Sequence, residues 1–238
     1  MPSWVAAEKC TANELNVIAT PPKQSGAPGT SVKIRIWTAA DAVNVAEAQI
    51  GHLFPRSCPQ RHINHDGTFC LGLNAGANIQ NNQLAAEWWG KLAKYLNCQE
   101  YAKALAQWPP RQQLSHGNAA TFQIEAENFA LRLGILQDYL DAVEHHEGWL
   151  AGDLPKCSKD ERRILNGRAP CPKGCKTKRG AKLLRKQCKD SEIMWGLIAN
   201  ETLRRLEEKH FVQSYRRDDF KCCGTMKNCP FREQGSIL

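Results

Sequence analysis

The chain has 238 residues, of which 42% are hydrophobic and 24% are charged, and its formal net charge is +8. These proportions are those of a folded protein and exclude wholesale disorder. The sequence has no run of eighteen apolar residues, so we expect no membrane-spanning helix. The first ten residues have no basic start followed by an apolar core, so we expect no secretory signal and a cytoplasmic protein.

Strands are predicted first along the chain. Residues 15–19 and 32–36 alternate between apolar and polar side chains, which is the period of a half-buried strand. Residues 41–50 are open to two interpretations, since their valines alternate as in a strand while their alanines favour a helix. Residues 51–83 show little periodicity and are rich in proline, glycine, histidine and cysteine, which predicts a long functional loop.

Helices are predicted in the rest of the chain. Apolar residues recur at helical spacing over 84–96, and a short second helix is predicted over 99–107, before a Pro-Pro pair. One longer helix is predicted from about 119 to 143, and another from about 191 to 209.

The most informative part of the long loop surrounds Cys70. Gly67 precedes it by three residues, and His62, His65 and Asp66 are groups nearby that can exchange protons. A cysteine becomes a nucleophile as its thiolate, which neighbouring histidines favour. The same pattern also fits a small buried thiol without reactivity, so the residues alone leave both interpretations open.

A resemblance to the ubiquitin-conjugating enzyme family is carried by one stretch, His62-Ile63-Asn64-His65-Asp66-Gly67-Thr68-Phe69-Cys70-Leu71. In that family a His-Pro-Asn turn leads through a glycine to the active-site cysteine, a leucine follows, and a tryptophan and a helix come later, as Trp88 and Trp89 do here. The resemblance covers residues 12–145, is specific over 54–96, and is closest to bacterial members of ubiquitin-like conjugation operons linked to phage defence. It implies an α+β protein with a reduced ubiquitin-conjugating-enzyme-like fold.

The resemblance also implies a chemistry. Cys70 is expected to accept a ubiquitin-like protein as a thioester from an activating enzyme and to pass it to a target amine. Counted back from the cysteine, the family's oxyanion-stabilising asparagine falls on His62, so His62 is the expected substitute, with Asn64 two residues out of register. His65 and Asp66 are candidates to position or deprotonate the amine, and a solvated turn before Gly67 is an equally open interpretation of these two residues. The front of the domain is short, with room for roughly three strands.

Cysteines beyond residue 150 predict bound zinc. The pair in Cys171-Pro-Lys-Gly-Cys175 has the spacing of a tight turn that aims two thiolates at one metal ion. Because the chain has eleven cysteines, an odd number, and no export signal, metal binding is favoured over a disulfide framework. Which of them share an ion stays open, and the candidate ligands are Cys157, Cys171, Cys175, Cys188, Cys222, Cys223 and Cys229. No organic cofactor is expected, since no glycine-rich phosphate loop occurs.

The same part of the chain is strongly basic. Residues 151–238 carry 21 basic and 11 acidic side chains (+10), whereas residues 1–150 carry 11 basic and 13 acidic ones (−2). Eight basic residues and no acidic one lie between Lys173 and Lys189. Such a stretch can contact nucleic acid or an acidic protein, and nucleic acid is the less favoured partner because few aromatic residues accompany the charges.

We therefore predict two domains: a ubiquitin-conjugating-enzyme-like domain over 1–148 and a basic, helical, cysteine-rich extension over 149–238 that binds zinc. The predicted enzyme is a thioester-carrying transferase whose partners are a ubiquitin-like protein, an activating enzyme and a target protein, with no membrane. Two alternatives stay open. One is a zinc-dependent adaptor that binds nucleic acid or protein and has an inert Cys70, and the other is a cysteine hydrolase that uses Cys70 with a nearby histidine.

Overall fold

The computed structural model describes residues 1–39, 41–158, 162–217, 220–227 and 229–232. The chain divides into two compact units, one made of residues 1–112 with the segment from 215 onward, and the other of residues 113–214. Within the described ranges, no helix has the length and apolar character needed to cross a membrane. The predicted division at residue 148 stays a prediction.

A four-stranded antiparallel sheet forms the front of the first unit. Its strands follow one another in chain order: β1 (Val5–Cys10), β2 (Glu14–Ala19), β3 (Val32–Ala39) and β4 (Ala42–Glu47). Val17 lies opposite Ile34, and Ile36 opposite Val45. All four of these side chains are buried, because alternate residues of each strand face the core. The open segment at 41–50 is thus a strand, and the sheet has four strands rather than the predicted three.

The sheet packs on one long helix, α1 (Asn82–Leu105). Its first turn is capped by the Asn81 side chain, which accepts a hydrogen bond from the Leu84 N–H at 2.9 Å, and it ends at Ala106 in the left-handed conformation. The prediction of two helices over 84–96 and 99–107 is wrong, since no glycine or proline interrupts the chain between them. Side chains at helical spacing face the core: Trp88, Leu92, Tyr95 and Leu96. These elements confirm the α+β class.

The second unit is helical. Its helices are α2 (Ala119–Arg132), α3 (Leu136–His145) and most of α4 (Ser191–Arg217). The single helix predicted over 119–143 is wrong, because the chain turns at Gly134, whose φ of +66° is a conformation that glycine adopts without strain. The core of this unit includes Ala130, Tyr139 and Leu197, all fully buried.

A cysteine hairpin, residues 167–188, lies between α3 and α4. Cys171 N–H donates to the Leu183 carbonyl at 2.7 Å, and Leu183 N–H donates to the Cys175 carbonyl at 2.8 Å, with Gly174 in the intervening turn. Cys171 is the one buried residue in this fully described segment. The hairpin therefore has almost no apolar core of its own.

Candidate functional site

The loop after the sheet folds back on itself at Cys58. The backbone N–H and carbonyl of Cys58 both hydrogen-bond with those of Ile63, each at 3.0 Å. Between them, Pro59–Arg61 form one 3₁₀ turn, and proline suits its first position because its φ is already fixed near the helical value. His62 ends the turn in the left-handed conformation, with a φ of +52°. We call residues 58–70 the Cys70 turn.

A tight bend inside the Cys70 turn leads to the cysteine. Asn64 N–H donates to the Thr68 carbonyl at 2.8 Å, and Gly67 N–H donates to the Asn64 carbonyl at 3.0 Å. Gly67 has a φ of +87°, and a Cβ added there would lie 2.9 Å from the side chain of Ile50. The positive φ therefore favours glycine three residues before Cys70, because a residue with a Cβ is strained in this conformation.

Cys70 leaves this bend half-buried and held by its backbone. Its N–H donates to the His62 carbonyl at 2.8 Å, and the Tyr95 hydroxyl donates to the same carbonyl at 3.2 Å. The ring of Phe69 stacks on Tyr95 with centroids 4.8 Å apart. The buried imidazole of His62 packs on Trp108 at 4.9 Å. His62 thus supports Cys70 through its carbonyl, while its ring lies among aromatic side chains.

Helix α1 also fixes the turn through a buried polar pair. Arg61 Nε donates to Gln99 Oε1 at 2.8 Å, and Gln99 Nε2 donates to the Arg61 carbonyl at 2.7 Å. Gln99 is 0% exposed and Arg61 is 3% exposed. Burial lowers the pKa of the Arg61 guanidinium, which shows how dry this contact is. The reciprocal bonds hold Arg61, and with it the end of the 3₁₀ turn, against the helix.

Asn64 is oriented by two neighbours in the bend. Its Nδ2 donates to Thr68 Oγ1 at 2.8 Å, and that hydroxyl donates in turn to Asp66 Oδ1 at 2.7 Å. The Thr68 backbone N–H donates to the same Asp66 oxygen at 2.9 Å. A side-chain amide carries two N–H donors, so one remains on Asn64 for a ligand.

Two clefts flank the Cys70 turn, and the predicted site residues divide between them. A cleft of about 270 Å³ is lined by Cys70, Asn64, Asn44 and Trp88, among others. A second cleft of about 670 Å³ is lined by His65 and Asp66, together with Lys221 and Cys223. The side chain of His62 lines neither cleft. Asn64 is therefore the predicted catalytic partner that shares a cleft with Cys70.

The predicted zinc ligands fall into both compact units. In the second unit, burial raises the pKa of both Cys175 and Cys188, and the neighbouring Cys171 raises them further. Burial raises the pKa of Cys157, which pairs through its backbone with Ile164. Three of the four ligands predicted in this unit therefore belong to the cysteine hairpin, and Cys157 lies before it.

In the first unit, the later cysteines meet a thiol that the sequence prediction did not include. Cys223 Sγ lies 3.0 Å from Cys58 Sγ, and every cysteine in the chain is a free thiol. This hydrogen bond lowers the pKa of Cys223 to about 5, while it and burial raise the pKa of Cys58. Burial, with a smaller contribution from Cys222, raises the pKa of Cys229 to about 11.

The positions of these cysteines bear on whether the chain can bind zinc. In the part of the chain that the structure describes, no group of three or more His, Cys, Asp or Glu side chains stands arranged to hold a metal ion. The donor chemistry fits zinc, because closely spaced thiols are its preferred ligands in structural sites. The cysteine-rich composition is thus compatible with zinc, although the described side chains do not form a complete set of metal ligands.

Two contributors to the site were missed by the sequence analysis. Gln99 lies on the buried face of a helix, and a buried glutamine needs a hydrogen-bond partner. Nothing in the sequence identifies Arg61 as that partner. Cys58 was passed over because its partner, Cys223, lies 165 positions later in the chain, too far for any spacing rule.

Comparison with known proteins places these features in a family. The model of the prokaryotic E2 domain matches residues 4–110, and the model of a cysteine-rich domain C-terminal to the E2 domain matches residues 115–231. Searches of curated proteins and of solved structures found no match. An E2 domain supports a conjugating role of the E2 type and implies interaction with ubiquitin-like proteins and activating enzymes in general. The two adjacent matches confirm the resemblance read from the sequence: the chain carries a prokaryotic E2 domain followed by the cysteine-rich domain that lies C-terminal to such E2 domains.

Proposed function

We propose that Cys70 carries a ubiquitin-like protein as a thioester and transfers it to an amine on a target protein. The observation that carries this proposal is the position of Cys70 in an E2 domain: half-exposed, in a cleft beside Asn64, with its backbone fixed by the His62 carbonyl. A nucleophile on a rigid turn meets its substrate in one geometry, which lowers the entropic part of the barrier.

The chemistry consists of two acyl transfers. In the first, the Cys70 thiolate attacks the thioester carbonyl at the C-terminus of the ubiquitin-like protein, and the thiolate of the activating enzyme leaves. In the second, a target amine attacks the new thioester, the Cys70 thiolate leaves, and the amine proton passes to solvent or a base. No oxidation state changes, so the protein must supply only position and a donor for the oxyanion.

Asn64 is the donor in this proposal. Asn64 lines the cleft that Cys70 lines, and its Nδ2 donates a hydrogen bond to Thr68 that orients the amide. Asp66 acts through Thr68 as a positioning residue, since its carboxylate accepts both Thr68 hydrogen bonds. This assignment moves the oxyanion role from His62, where the resemblance put it, to the residue two positions later.

His62 and His65 take different parts. The buried ring and the carbonyl of His62 hold the loop that carries Cys70, so His62 is a positioning residue needed at both transfers. His65 lines the larger cleft with Lys221 and Asp66. We assign His65 to contact with the target protein that brings the amine.

The direct test is a search for the thioester itself. Tagged chain is purified from its own host without reductant, resolved on gels with and without reductant, and digested for mass spectrometry. The proposal expects an adduct that reductant removes and that maps to Cys70. Cys70→Ala should lose the adduct, whereas Cys10→Ala, which removes an exposed cysteine of the same unit, should keep it.

Two other outcomes would point to the alternatives. Protein that never forms the adduct when an activating enzyme, ATP and ubiquitin-like protein from the same host are supplied would be an adaptor with an inert Cys70. Hydrolysis of a ubiquitin-like fusion without ATP or activating enzyme, lost in Cys70→Ala, would be the activity of a cysteine hydrolase.

Zinc in the cysteine-rich domain is part of the proposal. Cys171, Cys175 and Cys188 interact with one another in the cysteine hairpin, and Cys157 is the fourth ligand predicted for that ion. Bound zinc would supply structural free energy to a segment with almost no apolar core. Equimolar zinc in freshly purified, reduced protein would support this, and metal well below one ion per chain would contradict it.

The proposal also includes a cellular setting. We propose that the chain acts in the cytoplasm of a bacterium, where ATP is available to the activating enzyme, and that its conjugation pathway limits phage infection. The efficiency of phage plating should rise when Cys70→Ala replaces the wild-type chain, and an unchanged efficiency over a broad phage panel would contradict the antiviral role.

A further inference from the structure

A buried N–H group in the wall of the Cys70 cleft lacks a hydrogen-bond partner in the described part of the chain. This group is the indole N–H of Trp88. The Trp88 side chain is nearly buried, since the residue is 4% exposed, and it lines the same cleft as Cys70. A buried N–H without a partner is rare, because it has given up its bonds to water and gained none in return.

Two other tryptophans of the chain show the usual arrangement. Trp108 Nε1 donates to the Gln112 carbonyl at 3.0 Å, and Trp195 Nε1 donates to the Ser158 carbonyl at 2.8 Å. Both residues are only half-buried, yet each indole has its acceptor. A tryptophan N–H that is taken out of water normally finds such a partner. Trp88 departs from this rule at the cleft where the thioester is proposed to form.

The indole of Trp88 is held in place by its neighbours. Its ring packs edge-on against Trp89 with centroids 5.0 Å apart, and Trp89 packs edge-on against Trp4 at 5.7 Å. Trp88 also belongs to the main hydrophobic core of this unit. A change of rotamer would break these contacts, so the indole N–H cannot turn away to find another acceptor.

The space beside Trp88 fits a stretch of extended chain. The Cys70 cleft has a volume of about 270 Å³, and a neighbouring cleft of about 560 Å³ shares Ala42, Val43 and Gly76 with it. The two clefts therefore meet along β4. Most of residues 71–77 line the Cys70 cleft and none of them is buried, so this loop can shift by the small amount that lets an oxygen reach the indole N–H.

We propose that the Trp88 indole N–H binds a main-chain carbonyl in the C-terminal tail of the ubiquitin-like protein that Cys70 carries. The partner must be an acceptor, because an indole nitrogen can only donate. A tail whose last carbonyl lies at the Cys70 sulfur brings the preceding carbonyls into the same cleft. Every tail has these carbonyls, so Trp88 fixes the position of the tail without selecting its side chains. This inference rests on the proposed function.

The experiment removes the N–H and keeps the ring. In full-length chain, Trp88 is replaced by 3-benzothienylalanine, which has sulfur in place of the N–H and nearly the same shape. Charging of Cys70 is measured against the concentration of activating enzyme loaded with the ubiquitin-like protein of the same host. The KM should rise about three- to tenfold while kcat stays within about twofold, because a hydrogen bond made equally in the ground state and the transition state contributes to binding alone.

Trp89 provides the matched control, because it packs on Trp88 but does not line the Cys70 cleft. The same replacement at Trp89 should change neither KM nor kcat. An unchanged KM after replacement of Trp88, or an equal rise after replacement of either residue, would overturn the proposal.

A second measurement separates this inference from the thioester itself. Cys70→Ala chain, which cannot be charged, is titrated with the ubiquitin-like protein and with the same protein after deletion of its C-terminal tail. Replacement of Trp88 should raise the Kd for the intact protein about three- to tenfold and leave the Kd for the tailless protein unchanged. Equal changes for both proteins would overturn the role of Trp88. Tail binding that depends on Trp88, in a chain that never forms an adduct on Cys70, would support this inference and overturn the proposed transfer activity instead.

Discussion

The Cys70 turn and the cysteine hairpin are both irregular segments, but they are stabilised in different ways. The turn buries several side chains, among them Arg61, His62 and Phe69, and it takes hydrogen bonds from two residues of α1. The hairpin buries Cys171 alone and relies on its backbone pairing and its thiols. Helix α1 supports the Cys70 turn, whereas the zinc proposed for the cysteine hairpin would stabilise a segment with almost no apolar core. Changes in α1 should therefore damage the first, and metal removal the second.

The largest effect is expected where the supported turn meets the chemistry. Asn64→Ala removes the proposed oxyanion donor, so discharge of the Cys70 thioester to free lysine should slow by about 10²–10³-fold, the usual cost of one lost donor. Charging of Cys70 should stay near the wild-type rate, because the Asn64 backbone bonds that shape the bend remain. The two rates are read from the same gel, one with activating enzyme and one after it is quenched.

Two variants make this measurement specific. Asn44→Ala removes another asparagine from the same cleft and should leave discharge unchanged. His62→Ala should lower charging and discharge together, because it loosens the loop. A His62→Ala protein that charges normally but discharges slowly, beside an Asn64→Ala protein with normal discharge, would return the oxyanion role to His62.

The next effect tests the support from α1. Gln99→Leu keeps the apolar volume but leaves the buried Arg61 guanidinium without its side-chain acceptor, so the unit should lose about 3 kcal/mol of stability. Hydrogen exchange of the amides from Arg61 to Ile63 measures the loss where it is expected. Gln83→Leu, an exposed glutamine on the same helix, should change exchange little. Equal effects of the two changes would mean that the buried pair does not hold the turn.

The hairpin should respond to a different treatment. Chelation should speed amide exchange over 167–188 by about tenfold or more, which corresponds to about 1.4 kcal/mol of lost local stability. Helices α2 and α3 have their own buried core and should keep their exchange rates. If chelation loosened these helices as much as the hairpin, the hairpin would not be the part that depends on metal.

The predictability of the two regions follows the same division. Strands β2 and β3 could be predicted because their apolar residues alternate, whereas β1 was not predicted and residues 41–50 were left open between strand and helix. Cys58 and Gln99 could not be predicted as parts of the site, since their partners are distant in sequence. The same reason limited the zinc prediction: spacing found the cysteines of the hairpin but not the contact between Cys58 and Cys223.

The Cys70 turn shows a second limit on what can be predicted from the sequence. Counting residues back from Cys70 predicts the oxyanion role for His62, and that assignment stays a prediction. The fold packs the His62 ring against Trp108, whereas Asn64 lines the same cleft as Cys70. A 3₁₀ turn and a glycine bend lie in this stretch, and a residue count does not show which side chains such turns direct into one cleft.

The smallest predicted effect asks whether the helix that supports the Cys70 turn can be improved. Ala106 ends α1 with a φ of +54°, which costs a residue with a Cβ about 1–2 kcal/mol. Glycine removes that cost but loses about 0.5–1 kcal/mol in the entropy of the unfolded chain, so Ala106→Gly should stabilise the unit by up to about 1 kcal/mol. The Ala106 carbonyl still accepts its hydrogen bond from Lys227, because the backbone is unchanged.

The slowest amides of α1 should exchange up to about fivefold more slowly in Ala106→Gly than in the wild type. Ala86→Gly, at an exposed helical position of α1, should act with the opposite sign and cost about 1 kcal/mol. If both glycine substitutions stabilised the unit, the argument from the positive φ of Ala106 would be wrong. Stabilisation by Ala106→Gly and destabilisation by Ala86→Gly would show that the backbone is strained at the end of α1.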